Sequence, residues 1–313
     1  MPKRPMTLVL TAIALLLAGC DPRDFASFGD SHAYEKDFHY SYPLKPGGRL
    51  SVENFNGSVE ITGWDKDTVE IDGRQYASTI EMRDAIKIDV AASDGLVQIR
   101  TIRPGDRFGN MGARYIIRAP RKVNLDRIVS SNGGLKVDEI EGIVRLRTSN
   151  GSIRTARIRG DLDATTSNGG IDIDDLDGPA NVRTSNGRVT AEGVRGSLQV
   201  ATSNGSIHAS VVKPEAHRPI KLQTSNGGID LSMDSLADNE IRASTSNSGI
   251  TVKLPSMASA HIHAHTSHSS IHTDFDMKRE EGDGKNSLDG IIGSGGPTVE
   301  LSSSNGSIRL LKI

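Results

Sequence analysis

Spread over 313 residues, a formal charge of −2 gives no field that would hold nucleic acid, and the chain carries neither a basic cluster nor a nucleic-acid-binding motif. A single cysteine excludes a disulfide framework. Aromatic residues make up 4% while glycine numbers 33, which suits a thin stack filled by Val, Ile, Leu, Ala and Thr better than a globular core of large side chains.

Residues 1–19 read as an export signal. Lys3 and Arg4 give a positive start, and the apolar run 8–17 is too short to span a bilayer. It ends in Leu17-Ala18-Gly19-Cys20, which resembles the lipobox of bacterial lipoproteins. That resemblance implies removal of residues 1–19 and lipidation of Cys20, with acyl chains such as palmitate anchoring the protein in a membrane. An ordinary secretory signal with an incidental cysteine is the alternative. Asp21 resembles an inner-membrane retention signal of some Gram-negative bacteria, but the rule differs between lineages and inner versus outer membrane stays open. Residues 20–44, with Phe25, Phe28, Tyr34, Phe38, Tyr40 and Tyr42, read as a tether whose second half pairs as a capping strand.

Residues 45–120 read as irregular β coils. Strands are expected at 50–52, 56–61, 68–71, 86–90, 96–99 and 115–119, a short helix or excursion at 76–85, and a loop at 104–112.

A repeat governs residues 121–313. Asn132, Asn150, Asn168, Asn186 and Asn204 follow one another at eighteen-residue steps. Asn226, Asn247 and Asn305 continue the series at wider spacing, and His268 stands where an Asn is expected. A fixed period of this size marks a stacked repeat whose single unit cannot bury its apolar face alone. Three residues after each Asn comes an aliphatic residue (Leu135, Ile153, Ile171, Val189, Ile207), and ten after it, in four units, a glycine (Gly142, Gly160, Gly178, Gly196). Pairs such as Val144/Leu146 and Leu162/Ala164 alternate inward, and a threonine (Thr148, Thr166, Thr184, Thr202) precedes the next Asn by two. Each unit therefore reads as strand, Asn-Gly corner, strand, Gly corner, the corners being ascribed to the tolerance of Asn and Gly for positive φ. The fold class is all-β: a single-chain, parallel β-helix-like solenoid with about 18–22 residues per coil and Asn-Gly corners, a coil perimeter of roughly 60 Å. Asn-Gly is also the strongest hairpin signal, but constant inward offsets favour like stacking on like. Stacked Asn amides can hydrogen-bond along the axis. Short insertions are expected at 213–219 and 235–239, a polar loop at 276–297, and a final strand at 308–313 that closes the end.

The stretch Leu50-Ser-Val-Glu-Asn-Phe-Asn-Gly-Ser-Val-Glu-Ile-Thr-Gly-Trp64, the serial Ser-Asn-Gly units and the ending Gly293-Ser-Gly-Gly-Pro-Thr-Val-Glu-Leu-Ser-Ser-Ser-Asn-Gly-Ser-Ile308 together resemble the bacterial putative-adhesin β-solenoid family, a domain of unknown function. The likeness covers residues 45–313. It implies a right-handed or similar β-solenoid exported to the envelope and supplies no catalytic residues.

Two constellations could carry chemistry. His261, His263 and His265 alternate along one strand with their rings outward, near His268 and His272, and same-face imidazoles can bind Zn²⁺, Cu²⁺ or Ni²⁺. Same-side neighbours lie about 6.6 Å apart, so a solvated face is the competing reading. The acidic ridge Asp172, Asp174, Asp175 and Asp177, flanked by Asp138, Glu139, Glu141 and Glu192, puts Asp174 and Glu192 at one offset and invites glycosidase or Ca²⁺ readings. Arg154, Arg157, Arg159, Arg183, Arg188 and Arg195 offer interstrand ion pairing instead. The leading expectation is a non-enzymatic envelope lipoprotein, membrane-held through Cys20, that binds or scaffolds a glycan or envelope protein without cofactor or nucleic acid. A polysaccharide-active β-helix enzyme and an accessory of envelope-stress signalling are the alternatives.

Overall fold

The computed structural model describes residues 34–105, 109–279 and 284–313, all within one compact unit, His32–Ile313. Residues 1–33, and with them Cys20, Asp21, Phe25 and Phe28, lie outside the described residues. Two long sheets face each other. Sheet A has 13 strands and sheet B 14, and each regular coil gives one strand to each. Sheet A receives Leu135–Asp138, Ile153–Arg159, Ile171–Asp177, Val189–Arg195, Ile207–Val211, Ile229–Met233 and Ile250–Leu254; sheet B receives Val123–Asn132, Val144–Asn150, Leu162–Thr165, Ala180–Arg183, Leu198–Ala201, Ile220–Gln223 and Ile241–Thr245. Successive coils pair in parallel, so that Ile153, Ile171, Val189, Ile207 and Ile229 form one column, each at most 2% exposed. The chain is a β-solenoid.

Glycine serves the Asn-Gly corner for a reason other than the one the sequence suggested. In the regular coils Gly133, Gly151, Gly169, Gly187 and Gly205 do not take positive φ. A Cβ on Gly151 would instead sit 2.1 Å from the carbonyl oxygen of Gly133 in the coil below, and on Gly187 2.0 Å from that of Gly169. Close approach of backbones selects the glycine here. Positive φ belongs to the second corner, where Gly142, Gly160, Gly178 and Gly196 have φ from 132° to 156°.

A third bend was not expected. Glu139, Arg157, Asp175 and Gly193, each seven residues after its Asn, all lie near φ 52–67°. This left-handed residue lets the sheet-A strand turn before its last inward side chain, as Ile158 and Leu176 show by remaining buried. At Gly193 a Cβ would meet only ordinary contacts 3.5 Å away, so conformation alone sets the cost of adding one. Gly193→Ala is expected to lower stability by about 1 kcal/mol, read from the denaturant midpoint.

Both ends depart from simple stacking. The first coil, Gly48–Asn56 with Val59–Trp64, lies inside the stack: Gly48–Asn56 sits between Leu96–Ile102 and Val123–Asn132, and Val59–Trp64 between Met111–Pro120 and Leu135–Asp138. At the other end the expected terminal strand does not close the solenoid. Thr298–Ser303 enters between Ile241–Thr245 and Ala260–Thr266, and Ile308–Lys312 between Ile250–Leu254 and Ile271–Thr273. Antiparallel strands finish three of the four sheet ends, where further parallel pairing would leave an open template, while Ile271–Thr273, parallel to Ile308–Lys312, ends sheet A. Tyr34–Pro43 pairs with Thr68–Ala77, and Lys87–Ser93 with Leu96–Ile102. At the far end Ser287–Ile292 pairs antiparallel with Ala260–Thr266 and with Lys278–Arg279.

The segment 276–297, expected as a polar loop, is therefore partly strand. Its polar composition hid a period of two in which Leu288 and Ile292 turn inward, 4% and 0% exposed. A helix, Ile80–Ala85, capped by Thr79 Oγ1 on the Met82 N–H, carries the chain between sheets. The insertions at 213–219 and 235–239 are tied together by Asn239, fully buried, whose amide donates to the carbonyls of Glu215 (2.5 Å) and Arg218 (2.9 Å).

Candidate functional site

The corner asparagines form a hydrogen-bonded column. Each side-chain amide donates to the Oδ1 of the one below: Asn132 to Asn56 (2.6 Å), Asn150 to Asn132, Asn168 to Asn150, Asn186 to Asn168 and Asn204 to Asn186 (each 2.8 Å). Asn226, Asn247 and Asn305 extend it at 2.7, 2.7 and 2.9 Å. Asn305 donates to Asn247, so the column skips residues 248–304 and reflects the inserted coil. His268 stands in register beyond Asn305, but its Nδ1 contacts the Ser304 carbonyl at 3.3 Å rather than prolonging the amide chain.

A second column runs just inside the first. Thr148, Thr166, Thr184 and Thr202 donate their hydroxyls to the carbonyls of Gly133, Gly151, Gly169 and Gly187 at 2.9–3.2 Å. These oxygens sit where adjacent backbones are too close for any side chain but glycine's. Thr184→Val is expected to cost about 1–3 kcal/mol by leaving the Gly169 carbonyl short of a donor, whereas Thr184→Ser keeps the bond. Chemical denaturation of the two variants checks this. Both polar columns thus hold coils together, and what remains for recognition is the outward surface of each sheet.

Sheet A carries the acidic ridge. Asp174 and Glu192 are register partners on adjacent strands, as are Asp172 and Thr190. Two of the four ridge aspartates, and the flanking Asp138 and Glu141, are neutralised across coils: Arg154 to Asp172 at 3.5 Å, Arg159 to Glu141 at 3.4 Å, Arg157 to Asp138 and Arg195 to Asp175. Glu139 accepts from Arg121, which holds its carboxyl below the usual range, with Arg157 adding to the effect. A shallow trough of 410 Å³ crosses Lys136, Arg154, Asp172, Asp174 and Glu192, and continues past Thr190 into one of 620 Å³ bounded by Arg188, His208, Asp230 and Arg309.

The histidines lie on sheet B. Along Ala260–Thr266 the burial alternates, with Ile262, Ala264 and Thr266 inside and His261, His263 and His265 outside. His263 faces Glu300 on one neighbouring strand and bonds Asp289 on the other at 2.7 Å. Among the described residues no group of three or more His, Cys, Asp or Glu side chains is arranged to hold a metal ion. The three rings form a solvated row, not a converged site.

Arg183, expected to ion-pair beside the acidic ridge, stands instead on the outer face of sheet B, and sequence reading missed the rest of that face. Arg147, Thr165, Arg183, Ala201 and Gln223 form one outward column over successive coils, and Arg145, Asp163, Asn181, Gln199 and Lys221 another. The available signal was a constant offset, three residues before the Asn, shared by Arg147 and Arg183.

This geometry, stacked glycine and asparagine corners between two parallel sheets, has a family counterpart: the Toastrack DUF4097 profile matches residues 48–258. The chain belongs to the Toastrack DUF4097 family. In this Toastrack chain the match starts with the first coil and ends before the inserted one, so it is shorter than the span 45–313 expected from the motifs. No curated protein matches the chain. Among solved structures, a putative cell adhesion protein from Clostridium sporogenes is 12% identical with a TM-score of 0.25, covering 89% of this chain and 100% of that one. A putative adhesin from Bacteroides fragilis is 12% identical with a TM-score of 0.28 over 89% and 97%. A putative adhesin from Parabacteroides distasonis is 12% identical with a TM-score of 0.36 over 88% and 97%.

Proposed function

We propose that this Toastrack chain is a non-enzymatic lipoprotein of the bacterial cell envelope, held to a membrane by lipidated Cys20, that binds or scaffolds an envelope glycan or protein on the outer faces of its stack. The observation that carries the reading is the division of labour among polar groups. The Asn and Thr columns are consumed in coil-to-coil bonds, and two of the four ridge aspartates with the flanking Asp138, Glu139 and Glu141 in ion pairs, leaving long, open, shallow faces. Such faces suit extended partners better than a small substrate that must be desolvated. The signal 1–19 and the Leu17-Ala18-Gly19-Cys20 motif support the address.

Membrane fractionation of the wild-type chain and of Cys20→Ser tests the anchor. The wild type is expected in the membrane fraction and Cys20→Ser in the soluble one; equal partitioning of both contradicts lipidation at Cys20. Turnover of any member of a polysaccharide panel, abolished by Asp174→Asn, would replace the binding reading with an enzymatic one.

A further inference from the structure

Cations on the middle strands of the two faces are treated differently, although Arg309 near the end of sheet A also has no carboxylate partner among the described residues. On sheet A, Lys136 reaches Glu60 at 3.6 Å and Arg154 reaches Asp172 at 3.5 Å. On sheet B, the five strands from Val144–Asn150 to Ile220–Gln223 expose Arg145, Arg147, Arg183 and Lys221 against a single carboxylate, Asp163, which accepts from Asn181 at 3.3 Å. Arg145 has a distant partner in Asp126 at 3.8 Å. Arg147, Arg183 and Lys221 have no carboxylate partner among the described residues.

Their spacing is regular. Arg147 and Arg183 stand in one column with Thr165 between them, and Lys221 lies two coils beyond Arg183 but in the neighbouring column, two residues along the strand, so the cations recur every second coil, roughly 10 Å apart measured along the axis, on a slightly oblique line. Between them the surface offers hydroxyl and amide groups, Thr165, Asn181, Gln199 and Gln223, and Ala201 keeps it low. None of the exposed large hydrophobic side chains lies on these strands. A protein partner would need apolar anchors that the face does not present. A nucleic acid would need stacking platforms and a denser run of cations.

We propose that this face of sheet B binds a linear anionic polysaccharide laid along the solenoid axis, its acidic groups on alternate sugars meeting Arg147, Arg183 and Lys221. Guanidinium forks match carboxylates in two-point bonds, and the intervening amides and hydroxyls match sugar hydroxyls. The inference rests on the binding reading above and names its ligand class.

The test is calorimetric titration of the full chain, purified from membranes, with hyaluronan oligosaccharides (one carboxylate per two sugars), neutral dextran and single-stranded DNA. Hyaluronan is expected to bind, and raising salt from about 0.15 M to about 1 M, which shortens the screening length from about 8 to about 3 Å, is expected to abolish the signal. The triple variant Arg147→Gln, Arg183→Gln, Lys221→Gln is expected to weaken binding about tenfold or more, while Arg154→Gln with Arg309→Gln on sheet A leaves it unchanged. Exposed substitutions of this kind leave the fold intact, and an unchanged thermal midpoint verifies it. Absence of hyaluronan binding, an unaffected triple variant, or tighter binding of DNA overturns the inference. Tighter binding of dextran overturns it too while sparing the broader glycan-binding reading, and the anchor stands or falls separately by fractionation of Cys20→Ser.

Discussion

Deletion of residues 295–313 is expected to abolish cooperative folding rather than shorten the solenoid. In a sequentially stacked repeat the last coil is dispensable, because only one neighbour contacts it. Here the deleted strands, Thr298–Ser303 and Ile308–Lys312, each lie between two others. Val299, Leu301, Ile308 and Leu310 are at most 1% exposed, and burying four such side chains contributes about 6–12 kcal/mol, comparable with the whole margin of about 5–15 kcal/mol typical of a folded domain. The truncated chain also opens the edges of Ile241–Thr245 and Ile250–Leu254 to other chains, so aggregates are expected on size-exclusion chromatography. A soluble monomer with an unchanged, sharp thermal transition would contradict the insertion.

The second large effect is expected at Gly227. A Cβ there would lie 1.9 Å from the Gly205 carbonyl oxygen and 2.3 Å from its carbon, both backbone atoms fixed by pairing. Gly227→Ala must therefore push two coils apart, at a cost of about 3 kcal/mol or more. The adjacent Gly228 is an internal control, because a Cβ there meets nothing nearer than 3.5 Å. Gly228→Ala is expected to stay within about 1 kcal/mol of wild type in urea melts. Equal losses from both substitutions would contradict close coil-to-coil approach as the reason for glycine at this corner.

What the sequence made legible follows from how locally each feature is encoded. Column identity was readable because inward positions such as Ile153 and Ile171 hold a constant offset from Asn150 and Asn168, and stacking like on like is dictated by that offset. The insertion of the last coil was not. Ile262 and Ile271 fit the pattern as well as Val299 and Ile308 do, so pairing order is a choice between equivalent partners far apart in the chain. The left-handed bend stayed hidden because Glu139, Arg157 and Asp175 are ordinary residues, and only Gly193 in that column announces positive φ. Arg145, Arg147 and Lys221 were overlooked and Arg183 was assigned to the ridge, because Thr165 and Ala201 interrupt the column and an outward column tolerates any side chain that water can reach. For the site, the acidic ridge and the alternating histidines were placed on faces by the period of two, but which carboxylate meets which arginine depends on rotamers and the third bend.

The inserted coil can be tested by disulfide capture in a Cys20→Ser background. Arg309 is the register partner of Thr251 on one side and of His272 on the other. Adjacent parallel strands bring Cα atoms to about 4.8 Å, within disulfide reach, whereas Thr251 and His272, two strands apart, lie about 10 Å away and out of reach. Thr251→Cys with Arg309→Cys should therefore oxidise to a fast-migrating crosslinked monomer on non-reducing gels, and Thr251→Cys with His272→Cys should not. Crosslinking of the second pair and not the first would mean that the coils follow chain order, and the stack described here would be wrong at its C-terminal end.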